Sequence, residues 1–149
     1  MNKKKIFYTI WGLLLILLLT GFLSVQAVEL VHNSQYLKMI SLCKDVDVEE
    51  KEPVLETTSF SVWDERVICW IRFNYSSSQA FDITWEWEDP KGNIYHTGKL
   101  EMEPGDYQNY RIWYGIGIQD HYAVNLPGEW IVRVYLDDFV VAIKDFTIS

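Results

Sequence analysis

The stretch Phe81-Asp82-Ile83-Thr84-Trp85-Glu86-Trp87-Glu88-Asp89-Pro90-Lys91-Gly92, residues 81–92, decides the fold. Phe81, Ile83, Trp85 and Trp87 recur at every second position, with Asp82, Thr84, Glu86 and Glu88 between them. Successive side chains of a strand point to opposite faces, so this period of two buries one face and wets the other, the mark of a half-buried antiparallel strand. Asp89-Pro90-Lys91-Gly92 then turns the chain. Pro presets φ at the first central position, and Gly takes the left-handed position that follows. The spacing predicts a hairpin to a strand at roughly 93–102.

Reading outward from that hairpin, the same chemistry continues on both sides. Strands are expected at roughly 54–62, at 66–75 (Val67, Cys69, Ile71, Phe73 and Tyr75 on one face) and at 107–114. Residues 115–127 are irregular and long enough to cross between sheets. In the closing hairpin Trp130, Val132, Val134 and Leu136 alternate with Ile131, Arg133 and Tyr135. Asp137-Asp138 turns the chain, and a last strand runs through Phe146 and Ile148. Seven short strands without a helical period predict an all-β, seven-stranded antiparallel sandwich. Third and fourth strands joined by a tight turn lie in one sheet. That favours a fibronectin type III-like arrangement over an antibody constant-type one, whose corresponding connection crosses between sheets.

The N-terminus sets the compartment. Lys3, Lys4 and Lys5 precede an apolar run from Ile6 to Val25, and Val25-Gln26-Ala27 offers a small-residue exit. Residues 1–27 therefore read as an apolar export-signal helix, either cleaved after Ala27 or kept as a signal anchor. The protein is expected to be secreted or extracytoplasmic, in the cell envelope. It would touch the membrane only through residues 6–25 if the signal is not cut. Residues 28–53 read as an acidic lead-in segment and residues 54–149 as the sandwich domain.

The 149 residues carry 13 Lys+Arg and 21 Asp+Glu, a formal charge of −8. Cleavage would remove three lysines and no acid, which takes the charge to −11. Such a chain repels phosphate backbones, so nucleic acid is excluded as a partner, and a cationic partner or basic patch is favoured. An aromatic content of 15% excludes a disordered tail.

Phe60 before a polar turn, Cys69-Trp70-Ile71, Trp87-Glu88-Asp89-Pro90-Lys91-Gly92 and Pro127-Gly128-Glu129-Trp130-Ile131-Val132-Arg133-Val134-Tyr135-Leu136-Asp137 together resemble small exported prokaryotic immunoglobulin-like domains. The resemblance covers about residues 54–149 and implies a fold, with adhesion, scaffold or accessory roles. It departs from antibody domains in having no cysteine on the sixth strand.

Few residues offer chemistry. Cys43 and Cys69 are expected to pair in an oxidising compartment, the alternative being a buried thiol at Cys69 and a free one at Cys43. His32, His96 and His121 have no metal-ligand spacing, and Asp45-Val46-Asp47-Val48-Glu49 lacks the turning Gly of a calcium loop, so no metal is expected. Glu86 and Glu88 point outward from a strand, where solvent keeps them ionised. A sandwich this small has little room for a glycosidase cleft. No nucleophile elbow or phosphate loop is present, and neither an enzyme nor a cofactor is expected.

The aromatic excess is the informative feature. Phe73, Trp85, Trp87, Trp130 and Phe146 are assigned inward. Trp70, Tyr107, Trp113, Tyr114 and Tyr135 are the outward candidates for binding, unless they cover one another or residues 28–53 pack over them. The sequence thus points to a non-catalytic extracytoplasmic protein-interaction module that holds another envelope or secreted protein. The alternative is a carbohydrate-binding accessory domain that stacks sugars on exposed Trp and Tyr.

Overall fold

The computed structural model describes residues 35–149; the expected export signal at 1–27 and residues 28–34 of the lead-in lie outside the described residues. Nine strands follow one another in the described part. They are β1 (Leu37–Asp47), β2 (Glu52–Glu56), β3 (Ser59–Phe60), β4 (Arg66–Ser77), β5 (Phe81–Glu88), β6 (Ile94–Met102), β7 (Gly105–Gly117), β8 (Gly128–Leu136) and β9 (Phe139–Ile148). The first sheet has the order β2-β1-β4-β7 and the second β3-β9-β8-β5-β6. All pairings are antiparallel except the short parallel pair of β3 with β9.

The deciding hairpin forms as the alternation predicts. β5 buries Phe81, Ile83, Trp85 and Trp87 and leaves the intervening residues half-buried. Its turn is held by Asp89, whose carboxylate accepts the Lys91 N–H at 2.8 Å and the Asn93 N–H at 3.0 Å. Gly92 sits at φ 79°, the left-handed region that an L side chain avoids. β5 and β6 stay in one sheet, as expected, and the chain crosses to the other sheet between β6 and β7. It crosses back from β7 to β8 through residues 118–127, where Tyr122–Asn125 form a 3-10 turn.

Two expectations are corrected. There are nine strands, not seven, because the strand expected at 54–62 is two strands in different sheets and β1 is an additional one. The Thr57 hydroxyl accepts the Ser59 N–H at 3.0 Å and turns the chain between β2 and β3. The segment assigned to a lead-in contains β1, which lies between β2 and β4. Its residues do not alternate, because both faces are covered and Ser41, Leu42 and Cys43 are consecutively buried. Leu42 enters the inter-sheet core and Cys43 a second apolar cluster on the outside. The acidic tract forms the turn after β1, where the Asp47 carboxylate accepts the N–H groups of Glu49 and Glu50.

The core holds all five residues assigned inward: Phe73, Trp85, Trp87, Trp130 and Phe146. Trp130 donates its indole N–H to the Leu126 carbonyl at 2.9 Å and so ties the crossing loop to β8. Trp87 and Trp130 both pack on Phe146, edge-on and stacked respectively.

Candidate functional site

The outer face of the first sheet is built by register. Met39, Arg72 and Arg111 form one row across β1, β4 and β7; Ser41, Trp70 and Trp113 form the next; Cys43, Ile68 and Gly115 the third. Arg66 opposite Gly117 ends the series. Cys43, Val46, Ile68 and Trp70 are buried together there, with Trp113 packed against them.

Trp70 corrects an expectation. It lies on the outer face of its strand, as its position requires, yet it is fully buried. The β1–β2 turn folds over it, and its indole N–H donates to the Lys51 carbonyl at 2.8 Å. Lys51 itself sits at φ 57°, so the buried indole holds a turn residue in the left-handed region. Trp70 is therefore a structural anchor and has no surface to offer a ligand.

Trp113 is half-buried and stands between two hollows. One, of about 420 Å³, is lined by Glu65, Arg66, Ile68, Gln119 and His121 beside Trp113, with Gly115 and Gly117 as its floor. A Cβ at Gly115 would lie 2.9 Å from the Val67 carbonyl oxygen, so the floor depends on a missing side chain. The His121 ring covers Gly117. The other hollow, of about 260 Å³, is lined by Lys51, Tyr110, Arg111, Ile112 and Trp113. Beside it the Arg111 guanidinium meets Glu52 at 2.9 Å, while the Nε atoms of Arg72 and Arg111 are buried without an acceptor. Among the described residues β7 is the terminal strand of this sheet, and no strand pairs with one side of its backbone.

The remaining candidates are not brought to this face. Tyr135 is half-buried on the outside of the second sheet, and its hydroxyl donates to Glu86 at 3.2 Å. Burial, with Glu86 beside it, raises its pKa above the usual phenol value. Arg133 lies between Glu88, at 2.6 Å, and Glu86, at 3.6 Å, so the two outward carboxylates serve an ion-paired cluster. Tyr114 points the other way, into the open side of the sandwich. It stacks on Trp85 and on His96, and its hydroxyl lies 2.9 Å from His96 Nε2. Tyr107 packs on Phe73 and Phe81 and donates to the Glu103 carbonyl at 2.8 Å.

The expected disulfide is also corrected. Cys43 is in register with Ile68, and Leu42 with Cys69, so the two thiols leave opposite faces of one sheet. Both are free and buried. No rotamer change joins them, because β-carbons on opposite faces diverge.

Arg66, Arg72 and Arg111 were not singled out from the sequence. Assigning Val67, Cys69, Ile71 and Phe73 inward already puts Arg66 and Arg72 outward. Arg111 joined them only through the β4–β7 register.

The fold and its register define an immunoglobulin-like β-sandwich. Among solved structures the chain is similar to an immunoglobulin-like protein from Pseudomonas aeruginosa, at 15% identity and a TM-score of 0.48, over 77% of this chain and 95% of that one. It is also similar to part of an alkylpurine DNA glycosylase from Pseudomonas fluorescens bound to DNA with an abasic site analogue. There the identity is 12% and the TM-score 0.40, over 62% of this chain and 27% of that one. No family model and no curated protein matches the chain.

Proposed function

We propose that the protein is a non-catalytic extracytoplasmic interaction module that holds another envelope or secreted protein on the outer face of its first sheet. One observation carries this reading. Three of the chain's four arginines, Arg66, Arg72 and Arg111, share that face with Trp113, beside β7, the terminal strand of the sheet among the described residues. Arg, Trp and Tyr are the residue types that anchor protein interfaces, and a free strand edge adds backbone donors and acceptors. The apolar run after Lys3, Lys4 and Lys5 supports the compartment. The test is affinity capture by the full chain from envelope extract of the producing cell, after brief cross-linking. One protein retained in stoichiometric amount and lost with Trp113→Ala is the expected result. Capture unchanged by that substitution would remove this face from consideration.

A second reading, carbohydrate binding, is favoured by the 420 Å³ hollow. Trp113 offers a ring for stacking, and Glu65, Arg66, Gln119 and His121 offer the polar partners that hydroxyls require. Tryptophan fluorescence should then shift on titration with soluble polysaccharide, and a flat titration across glycan classes would end that reading.

A further inference from the structure

We propose that the partner is acidic, and that Lys51, Arg72 and Arg111 form the site for one of its carboxylates; this rests on the interaction-module reading above. Arg72 and Arg111 are directly opposite each other in register. Like charges so placed destabilise a sheet unless an anion lies between them. Glu52 supplies one carboxylate, at 2.9 Å from Arg111, and among the described residues no acid is paired with Arg72. The buried Nε atoms of both arginines lack an acceptor, and a buried donor left unmatched is costly. Lys51 is the third cation. It lines the 260 Å³ hollow with Arg111 and Trp113, and the Trp70 indole fixes its backbone. Among the described residues Arg111 alone of the three cations is ion-paired, with Glu52, on paired strands and a pinned turn, in a chain whose formal charge is −8.

The chemistry of the site selects a carboxylate on a protein. A guanidinium presents parallel N–H groups that match a carboxylate's two oxygens. An extended polyanion or an anionic membrane would meet the chain's other acids within about a Debye length, roughly 8 Å at physiological salt, and be repelled. A short protein segment brings one or two carboxylates to the site without that penalty. Trp113, which lines the hollow, gives its neighbouring apolar side chains a contact.

The test uses the full chain and a short fluorescent peptide carrying two Glu residues flanked by Val, with the Gln-for-Glu peptide as control, by fluorescence anisotropy. The Glu peptide should bind at least about tenfold more tightly than the Gln peptide, a difference of about 1.4 kcal/mol. Its affinity should fall as salt rises from about 50 to about 300 mM. Arg72→Gln and Arg111→Gln should each weaken it about tenfold, and Lys91→Gln, on the β5–β6 turn, should leave it unchanged. Met39→Glu keeps both arginines and sets a carboxylate in register with Arg72. It should raise the melting temperature and abolish peptide binding, because the site is then filled from within. Equal affinity for the two peptides, or affinity indifferent to Arg72→Gln and Met39→Glu, would overturn the inference. Tighter binding of a sulfated polysaccharide or anionic vesicles through the same arginines would overturn the choice of a protein partner. If Trp113-dependent capture of an envelope protein persists while the peptide fails, the acidic site alone is wrong. If both fail, the module reading falls with it.

Discussion

Gly98 lacks a side chain where the Tyr114 ring needs the room. It lies opposite Trp85 on β6, and a Cβ built there would clash with the Tyr114 ring. Tyr114 thereby reaches from β7 over β6 and shields Trp85 at the open side of the sandwich. Gly98→Ala should therefore destabilise the fold by about 1–3 kcal/mol, the usual cost of overpacking, and denaturant unfolding will measure it. A loss below a few tenths of a kcal/mol would mean that Tyr114 moves aside at no cost. Cys43 carries a second prediction at this scale. Burial pushes its thiol pKa from 9.0 up to about 11. The folded state therefore holds that proton more tightly than the unfolded chain does, and the associated stability is complete below pH 9. It is lost as pH rises from 9 towards 11. Cys43→Val removes the thiol and should flatten that part of the alkaline limb, read by denaturant midpoints across the same pH range. An unchanged limb would place the alkaline loss elsewhere.

At the scale of elements, β1 is the strand whose role the sequence concealed. It pairs with β2 on one side and β4 on the other, and its Leu42 enters the main core. Its turn into β2 covers Trp70. A chain beginning at residue 54, the expected domain boundary, would lose β1 and half of β2. It would expose the long β4 edge and uncover Trp70, Ile68 and Leu42's partners in the core. That fragment should show no cooperative thermal transition, whereas one beginning at residue 35 should show a single sharp one, by circular dichroism. Cooperative unfolding of the shorter fragment at the same temperature would demote β1 to an ornament. β5 and β8 were legible because each has one dry and one wetter face, so the period of two survives there. β1 has apolar cover on both faces, which erases the period. β2 and β3 fuse into one apparent strand because the change of sheet at Thr57-Thr58 involves only a local hydroxyl contact.

For the whole molecule, charge is segregated. The chain is acidic overall, yet three of its four arginines share the outer face of one sheet, and the fourth, Arg133, is held between Glu86 and Glu88 on the other. At long range the net charge dominates and keeps polyanions away; at contact distance the arginine face dominates and favours a carboxylate. Part of this face was legible, since strand parity alone turns Arg66 and Arg72 outward with Trp70. What parity does not show is cover. Trp70 and Trp113 are cross-strand neighbours on the same face, and one is sealed by a turn whose Lys51 lies 19 positions earlier in the chain while the other borders two hollows.

By itself the sequence determined that the domain is all-β with two sheets, where the β5–β6 and β8–β9 hairpins turn, and that Trp85, Trp87 and Trp130 fill the core. Each of these follows from the alternation of neighbouring residues and from the backbone preferences of Pro and Gly, which act over a few positions. The tertiary structure alone decided that β1 belongs to the sandwich and that Cys43 and Cys69 leave opposite faces. It also decided which aromatic is buried and which arginines stand side by side. Those facts depend on register and cover between segments far apart in the chain, and they are fixed only when the strands pair and the sheets close on one another.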